Sequence, residues 1–284
     1  MLTVKNLNKN YPSFKLSNIS FDVPKGYIVG FIGRNGAGKT TTLKSVLNIV
    51  KPDTGNVEFF GKDINSHEVS IKQDIAYMLG AFEFYPRSKV KTMVDVYKSF
   101  YKNWDNALFD SYLSKFSIDS NKRITELSAG MRVKFGIALA LSHDAKLLIL
   151  DEPTSGLDPI AREELLDIFQ EVVSDGEHSI LFSTHITSDL DKCADYILLI
   201  KDGQIKLNAT KDDIIENHIL VKGNLDDLKQ LKSSLIGYKT NKFGFSALAQ
   251  KQSIKKSASL VLEKPNLEDI MIYYNKEANE NEHA

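Results

Sequence analysis

The sequence is short of several things, and each shortage excludes something. One cysteine, Cys193, among 284 residues rules out an intrachain disulfide. Net charge is nearly absent: 36 Lys and Arg stand against 37 Asp and Glu, a formal −1. Such a balance gives no global attraction to nucleic acid or anionic lipid. No uncharged apolar run approaches the roughly 18 residues of a membrane helix; residues 27–33 and 196–200 are strand-sized. Residues 1–10 lack the basic-then-apolar order of a secretory signal. A soluble, cytosolic chain is expected, and work at a membrane would need another polypeptide. Core material is not short: 42% of residues are apolar and 26% charged, as in ordinary globular proteins. The length suits two domains, or one large domain with an appendage.

Residues 1–210 alternate strand-like and helical stretches. Residues 2–7 and 16–23 read as strands, with Asp22, Pro24 and Gly26 marking turns. Residues 27–32 form a continuous β-rich apolar run, the pattern of a strand buried on both faces. A helix is expected over 39–49, stopped before Pro52. Further strands are expected at 56–60, 75–79, 147–150 and 179–183, with a hairpin of 196–201 and 204–207 around Asp202-Gly203. Helices are expected at 131–141, 161–173 and 186–194. A longer helical stretch, 90–116, carries Tyr97, Phe100, Tyr101, Trp104, Phe109, Tyr112 and Phe116, read as the core of a helical subdomain. This rhythm implies parallel central strands with helices on both faces. After residue 210 a strand (218–222), a helix (225–235), a strand (259–262) and a helix (267–274) suggest a small separate α+β appendage. The polar residues 275–284 are expected to be disordered. There is no internal repeat, so one nucleotide-type module per chain is expected.

The chemistry begins with Gly33-Arg34-Asn35-Gly36-Ala37-Gly38-Lys39-Thr40, which fits G-x-x-x-x-G-K-[ST] between a strand and a helix. Glycines let the backbone turn back so that its N–H groups converge on phosphate oxygens. The following helix, entered through Thr41, directs its positive end at the same oxygens. Lys39 is expected to neutralise the β and γ phosphates of a nucleotide, and Thr40 to hold magnesium through its hydroxyl. A distal acid is supplied by 146–152, an apolar strand ending in Asp151 and Glu152. Asp151 is placed to reach magnesium through water, and Glu152 to polarise an attacking water.

A third set of residues narrows the choice among phosphate-loop enzymes. Leu127-Ser128-Ala129-Gly130-Met131 resembles the Leu-Ser-Gly-Gly-Gln signature of the ABC ATPases, at the family's interval before the Asp151 strand. Ser155-Gly156-Leu157-Asp158 resembles their D-loop, His185 their switch histidine, and Tyr11 the aromatic that stacks on adenine. The resemblance covers about residues 1–210. It implies an α/β P-loop NTPase of the ABC ATPase type: a mixed sheet with flanking helices, an antiparallel β part and a helical subdomain at about 85–142. A small C-terminal α+β domain, 211–274, follows. It implies ATP and Mg2+ as ligands, Glu152, His185 and Lys39 as catalytic residues, and a second chain facing Ser128, Ala129, Gly130, Met131 and Asp158. Ser128 also reads as a helix cap, and Asp158 before Pro159 as a helix start. Three departures stand out: Ala129 where the family has glycine, Met131 where it has glutamine, and Gly80 at the place of a strand-end glutamine.

Members that act on ribosomes usually carry two modules, and those that act on DNA insert long coiled coils; neither fits 284 residues with this spacing. The resemblance therefore implies the ATPase subunit of a transporter, with a soluble ribosome- or nucleic-acid-directed ATPase as the alternative. The expected partners are a second copy of the chain and an integral membrane subunit, with no nucleic acid. The expected place is the cytoplasmic face of the membrane. Residues 81–90, with Tyr85-Pro86, and the ending 266–270 look like bacterial peptide, antibiotic and multidrug exporter ATPases. Within these the chain resembles staphylococcal exporters of phenol-soluble modulin peptides and relatives tied to bacitracin and cell-wall stress. Phe82, Glu83, Phe84 and Tyr85 are expected to couple the chain to a helix of the membrane subunit.

Overall fold

The computed structural model describes residues 1–79, 87–255, 257 and 259–276. The expectations for Gly80 and for Phe82, Glu83, Phe84 and Tyr85 lie outside these residues, as does the expected tail from 277 on.

The chain opens with two antiparallel strands, β1 (Leu2–Tyr11) and β2 (Phe14–Val23). Leu2, Val4 and Leu7 of one, and Leu16, Ile19, Phe21 and Val23 of the other, turn inward. The register shifts between Val4 and Leu7, beside Asn6, whose φ is +50°; such a bulge re-aims the following side chains. β3 (Ile28–Ile32) leads through the glycine-rich loop into α1 (Lys39–Val46). β4 (Thr54–Phe59) and β5 (Lys62–Asp63) complete a four-stranded sheet ordered β2-β1-β4-β5.

α2 (Ile64–Gln73) starts at Asp63, whose carboxylate accepts from Asn65 N–H. No helix was expected there: only Ile64 and Ile71 of its ten residues are buried, too few to print a 3.6-residue apolar period. β6 (Ile75–Leu79) follows. The helical run expected over 90–116 is two helices, α3 (Val90–Lys98) and α4 (Asn106–Lys115). Asp105 interrupts it by capping α4, accepting from Leu108 N–H at 2.9 Å, the local competition that disfavours Asp inside helices. The link is pinned from outside: Gln73 Nε2 donates to Phe100 O at 2.8 Å, and Asp105 N–H donates to Ser142 O at 2.7 Å. Trp104, Phe109, Tyr112 and Phe116 pack in one cluster with Phe135 and Leu139 of α5 (Ala129–Ser142), whereas Phe100 is exposed.

β7 (Leu147–Asp151), α6 (Pro159–Val173), β8 (Ser179–Thr184), α7 (Thr187–Cys193), β9 (Tyr196–Lys201) and β10 (Gln204–Thr210) complete the central layer. The sheet runs β10-β9-β3-β8-β7-β6, parallel throughout except for the β9–β10 hairpin. Its inner strands feed two cores by the two-residue alternation of a strand. Ile28, Leu148, Leu150, Ile180, Phe182, Ile197 and Leu199 face the side of α5, α6 and α7. Val29, Phe31, Leu147, Ile149, Leu181 and Leu198 face β1, β2 and α1.

Thr210 then caps α8 (Lys211–Asn217). β11 (His218–Gly223), α9 (Leu225–Leu231), β12 (Leu235–Asn241), β13 (Gly244–Gln250), β14 (Val261–Glu263) and α10 (Leu267–Asn275) finish the described chain. The helix expected over 225–235 stops at Leu231, and β12 with β13 forms a hairpin that short, irregular apolar alternation did not reveal. Asn275, expected at the head of a disordered tail, is the last residue of α10. The four strands form an antiparallel sheet, β12-β13-β11-β14. One face has its own cluster around Val221, Tyr238 and Phe245. Leu220 and Leu248 of the other face, with Ile214, Leu267, Ile270 and Tyr273, join the same buried cluster as Ile32, Leu190, Ile197 and Leu199.

Candidate functional site

The loop between β3 and α1 is shaped by two glycines that nothing larger replaces. A Cβ at Gly33 would lie 2.5 Å from Ile200 O. Gly38 has φ +112°, and a Cβ there would meet Phe14 Cζ and Leu16 Cδ2 at 2.8 Å. Lys39, only 6% exposed, turns its ammonium back into this loop and donates to Gly33 O at 2.7 Å. Among the described residues no side chain caps the first turn of α1, which leaves its N–H groups to an anion.

The acids arrive from the sheet. Asp151 ends β7 directly opposite Ser183 of the parallel neighbour β8. Ser183 Oγ donates to Asp151 Oδ1 at 2.5 Å, and Thr40 Oγ1 donates to Oδ2 at 2.7 Å. Glu152, one residue on, has φ +53°, a region that costs a non-glycine residue energy and clusters at functional sites. Its N–H donates to Ser183 Oγ at 3.0 Å. Its carboxylate meets Lys39 Nζ at 3.1 Å through Oε1 and His185 Nδ1 at 2.7 Å through Oε2. Lys39, Glu152 and His185 thus form one contiguous chain of charge and hydrogen bonds, with Thr40 and Asp151 beside it.

Lys39, Thr40, Glu152 and His185 open on a hollow of about 660 Å3 that Arg34, Asn35, Gly36 and Thr41 also line. Ser13 and Phe14, which carried no motif in the sequence, line it too, as does Ser155 of the 155–158 loop. An adjoining hollow of about 490 Å3 shares Ser13, Phe14 and Gly36 and contains Tyr11, which is 41% exposed. The oxygens of Thr40 and Asp151 suit a hard divalent cation. Among the described residues no three His, Cys, Asp or Glu side chains gather around one point. A magnesium ion would therefore take its remaining ligands from phosphate and water, as that ion commonly does.

The other expected residues lie elsewhere. Ser128 Oγ accepts from Met131 N–H at 3.2 Å and caps α5. Ser128 and Ala129 are exposed, Gly130 is buried near Ala161 and Leu157, and Met131 packs on the aromatic helical cluster. Asp158 Oδ1 caps α6, accepting from Ile160 and Ala161 N–H at 3.0 Å each. None of these five lines the hollow at Lys39. Cys193 is buried on α7, and burial pushes its thiol up to about 12. Sequence reading missed Ser183. Its signal was a hydroxyl at the end of a buried apolar strand, and only strand order places it against Asp151.

A family model described as "ABC transporter" matches residues 16–155. The bacitracin transport ATP-binding protein BcrA of Bacillus licheniformis is 31% identical over 208 residues, 72% of this chain and 68% of that protein. The lantibiotic transport ATP-binding protein SrtF of Streptococcus pyogenes is 33% identical over 233 residues, 78% of this chain and 98% of that one. A solved ATP-binding subunit of an ABC transporter superposes with a TM-score of 0.69 at 28% identity, covering 76% of this chain and 92% of that one. No helix among the described residues is long and apolar enough to cross a membrane.

Proposed function

This chain belongs to the ATP-binding subunits of the ABC transporter family, and on that premise we propose that it hydrolyses ATP at the Lys39–Asp151–Glu152 site to drive a separately encoded membrane subunit. The observation that carries the reading is the junction of Lys39, Glu152 and His185 beside the Thr40–Asp151 pair. On the same reading the cargo is an amphipathic peptide or peptide antibiotic moved outward, in keeping with relatives named for bacitracin transport and lantibiotic transport.

Lys39 and the free N–H groups of α1 bind the phosphates, with Gly33, Arg34, Asn35, Gly36, Ala37, Gly38 and Thr41 forming the cradle. A phosphate competes with Glu152 for the Lys39 ammonium, which leaves the carboxylate to His185 and to water. Glu152 then orients the attacking water as general base, and His185 holds its carboxylate in place. Thr40 and Asp151 would hold Mg2+, which when bound would neutralise phosphate charge. Tyr11 offers its exposed ring to the adenine. Ser128, Ala129, Gly130, Met131 and Asp158 face a second copy of the chain, since their own hollow does not use them. Phe82, Glu83, Phe84 and Tyr85 dock the membrane subunit at the cytoplasmic face. Residues 1–210 are the ATPase domain, with a helical subdomain at about 85–142, and 211–274 a C-terminal domain.

The test is a pair of variants. Lys39→Ala should weaken ATP binding. Glu152→Gln should bind ATP, accumulate a closed dimer and lose about 10²-fold or more in hydrolysis rate. A Gln variant that hydrolyses ATP at nearly the parent rate would remove Glu152 from the mechanism.

A further inference from the structure

Asp189 lies in the first turn of α7 and is completely buried, as are Thr154 and Thr184. Its Oδ2 accepts from Thr154 Oγ1 at 2.6 Å and from Thr184 Oγ1 at 3.3 Å. Its Oδ1 stands 3.9 Å from Arg162 Nε, and neither of those two buried atoms has a hydrogen-bond partner among the described residues. A buried carboxylate satisfied on one side only is costly, and an apolar side chain would fill the space with less penalty. Such a group calls for an explanation beyond packing.

Its partners supply one. Thr154 comes two residues after Glu152, and Thr184 immediately precedes His185. From Glu152 the path runs through Pro153 to Thr154, across a hydrogen bond to Asp189 and across another to Thr184. It then passes along the chain to His185 and back to Glu152 through the 2.7 Å contact. The ring is closed, and Asp189 is the one member that belongs to neither loop. Arg162 lies one turn into α6, past Asp158. The loop 155–158 is therefore flanked by Thr154 and Arg162, both directed at the same carboxylate.

We propose that Asp189 is a positioning residue: it holds Glu152 and His185 in mutual register and ties that register to the loop 155–158. Asp189 does not line the nucleotide hollow and acts only through Thr154 and Thr184. The inference rests on the proposed roles of Glu152 and His185.

The experiment uses the full chain, with ATP as the probe, and compares Thr154→Val, Thr154→Ser, Asp189→Asn and the Thr154→Val/Asp189→Asn double variant. For each, kcat, KM, the ATP dissociation constant and the thermal midpoint are measured. Thr154→Val keeps the shape and removes the hydroxyl. It and Asp189→Asn should each lower kcat roughly tenfold or more, the scale expected when a catalytic group is misplaced by a fraction of an ångström to one ångström. ATP affinity should stay near that of the parent, because the phosphate cradle is untouched. Thr154→Ser should regain most of the lost rate. The double variant should fall no further than the worse single, since both alter the same Thr154–Asp189 contact. Parent-like kcat in Thr154→Val and Asp189→Asn overturns the inference. So does a joint loss of kcat and ATP affinity, or a serine variant no better than valine. If Asp189→Asn does not fold, the valine and serine pair still decides. Should Glu152→Gln keep its rate, the catalytic reading itself falls; should it lose its rate while the Thr154 and Asp189 variants do not, only the positioning role falls.

Discussion

Among single residues, His143 carries the clearest buried titration. It is 1% exposed and stacks on Tyr101 at a centroid distance of 3.7 Å. A neutral ring satisfies both its nitrogens, donating from Nδ1 to Gln73 O at 3.2 Å and accepting at Nε2 from the Tyr97 hydroxyl at 3.2 Å. Burial pushes the imidazole down to about 4, against about 6.5 in an unfolded chain. The folded state therefore takes up this proton less readily than the unfolded state. Its contribution to stability is fully present above about pH 6.5 and is lost as the pH falls from there through about 4, by up to about 3 kcal/mol. The thermal midpoint of the parent should thus drop more between pH 7 and pH 5 than that of His143→Gln. Equal drops in the two proteins would clear His143 of the effect.

At the scale of elements, caps decide where helices begin. α6 opens with Asp158 taking two backbone N–H groups and Pro159 in the first helical position, a pairing that both satisfies and preorganises the first turn. Asp158→Ala should cost about 1 kcal/mol and Asp158→Asn much less, measured by denaturant unfolding. A cost near zero for alanine would show that the cap is redundant. The same local chemistry marks what was legible beforehand. β3, β7 and α6 carried strong periods or caps and lie close to where they were expected. α2 has a nearly polar surface, and α3 and α4 read as one helix because the aromatic stripe continues across a break set by Asp105 and by Gln73 from another segment.

At the scale of the whole molecule, the C-terminal part is joined to the rest through a shared core. Ile214, Leu220, Leu248, Leu267, Ile270 and Tyr273 share a core with Leu190, Ile197 and Leu199. Each large apolar side chain uncovered there forfeits about 1.5–3 kcal/mol. A chain ending at Thr210 should aggregate or melt well below the parent; a soluble shortened chain with the parent's midpoint would show the two parts to be independent. Pairing is tested by mixing Lys39→Ala with Ser128→Arg. If each site draws Lys39 from one chain and Ser128 from the other, a mixed dimer has one site with both defects and one with neither. Its ATPase rate should exceed that of either variant alone, and full activity in a strictly monomeric preparation would argue against shared sites.

The sequence by itself determined the glycine-rich loop between a strand and a helix, the paired acids, the helix-capping serine and the family resemblance, because each depends on residues adjacent in the chain or on ordered spacing. Gly33 through Thr40, Asp151 with Glu152, and Ser128 with Met131 are all of this kind. Tertiary structure alone decided that Ser183 would donate to Asp151, that His185 would reach Glu152, and that Asp189 would join Thr154 to Thr184. It also decided that the C-terminal sheet would bury one face against the nucleotide-binding core. Those contacts cross parallel strands and packed helices whose order no local pattern encodes. A strand's apolar period says that both faces are buried, and only the folded sheet says against what.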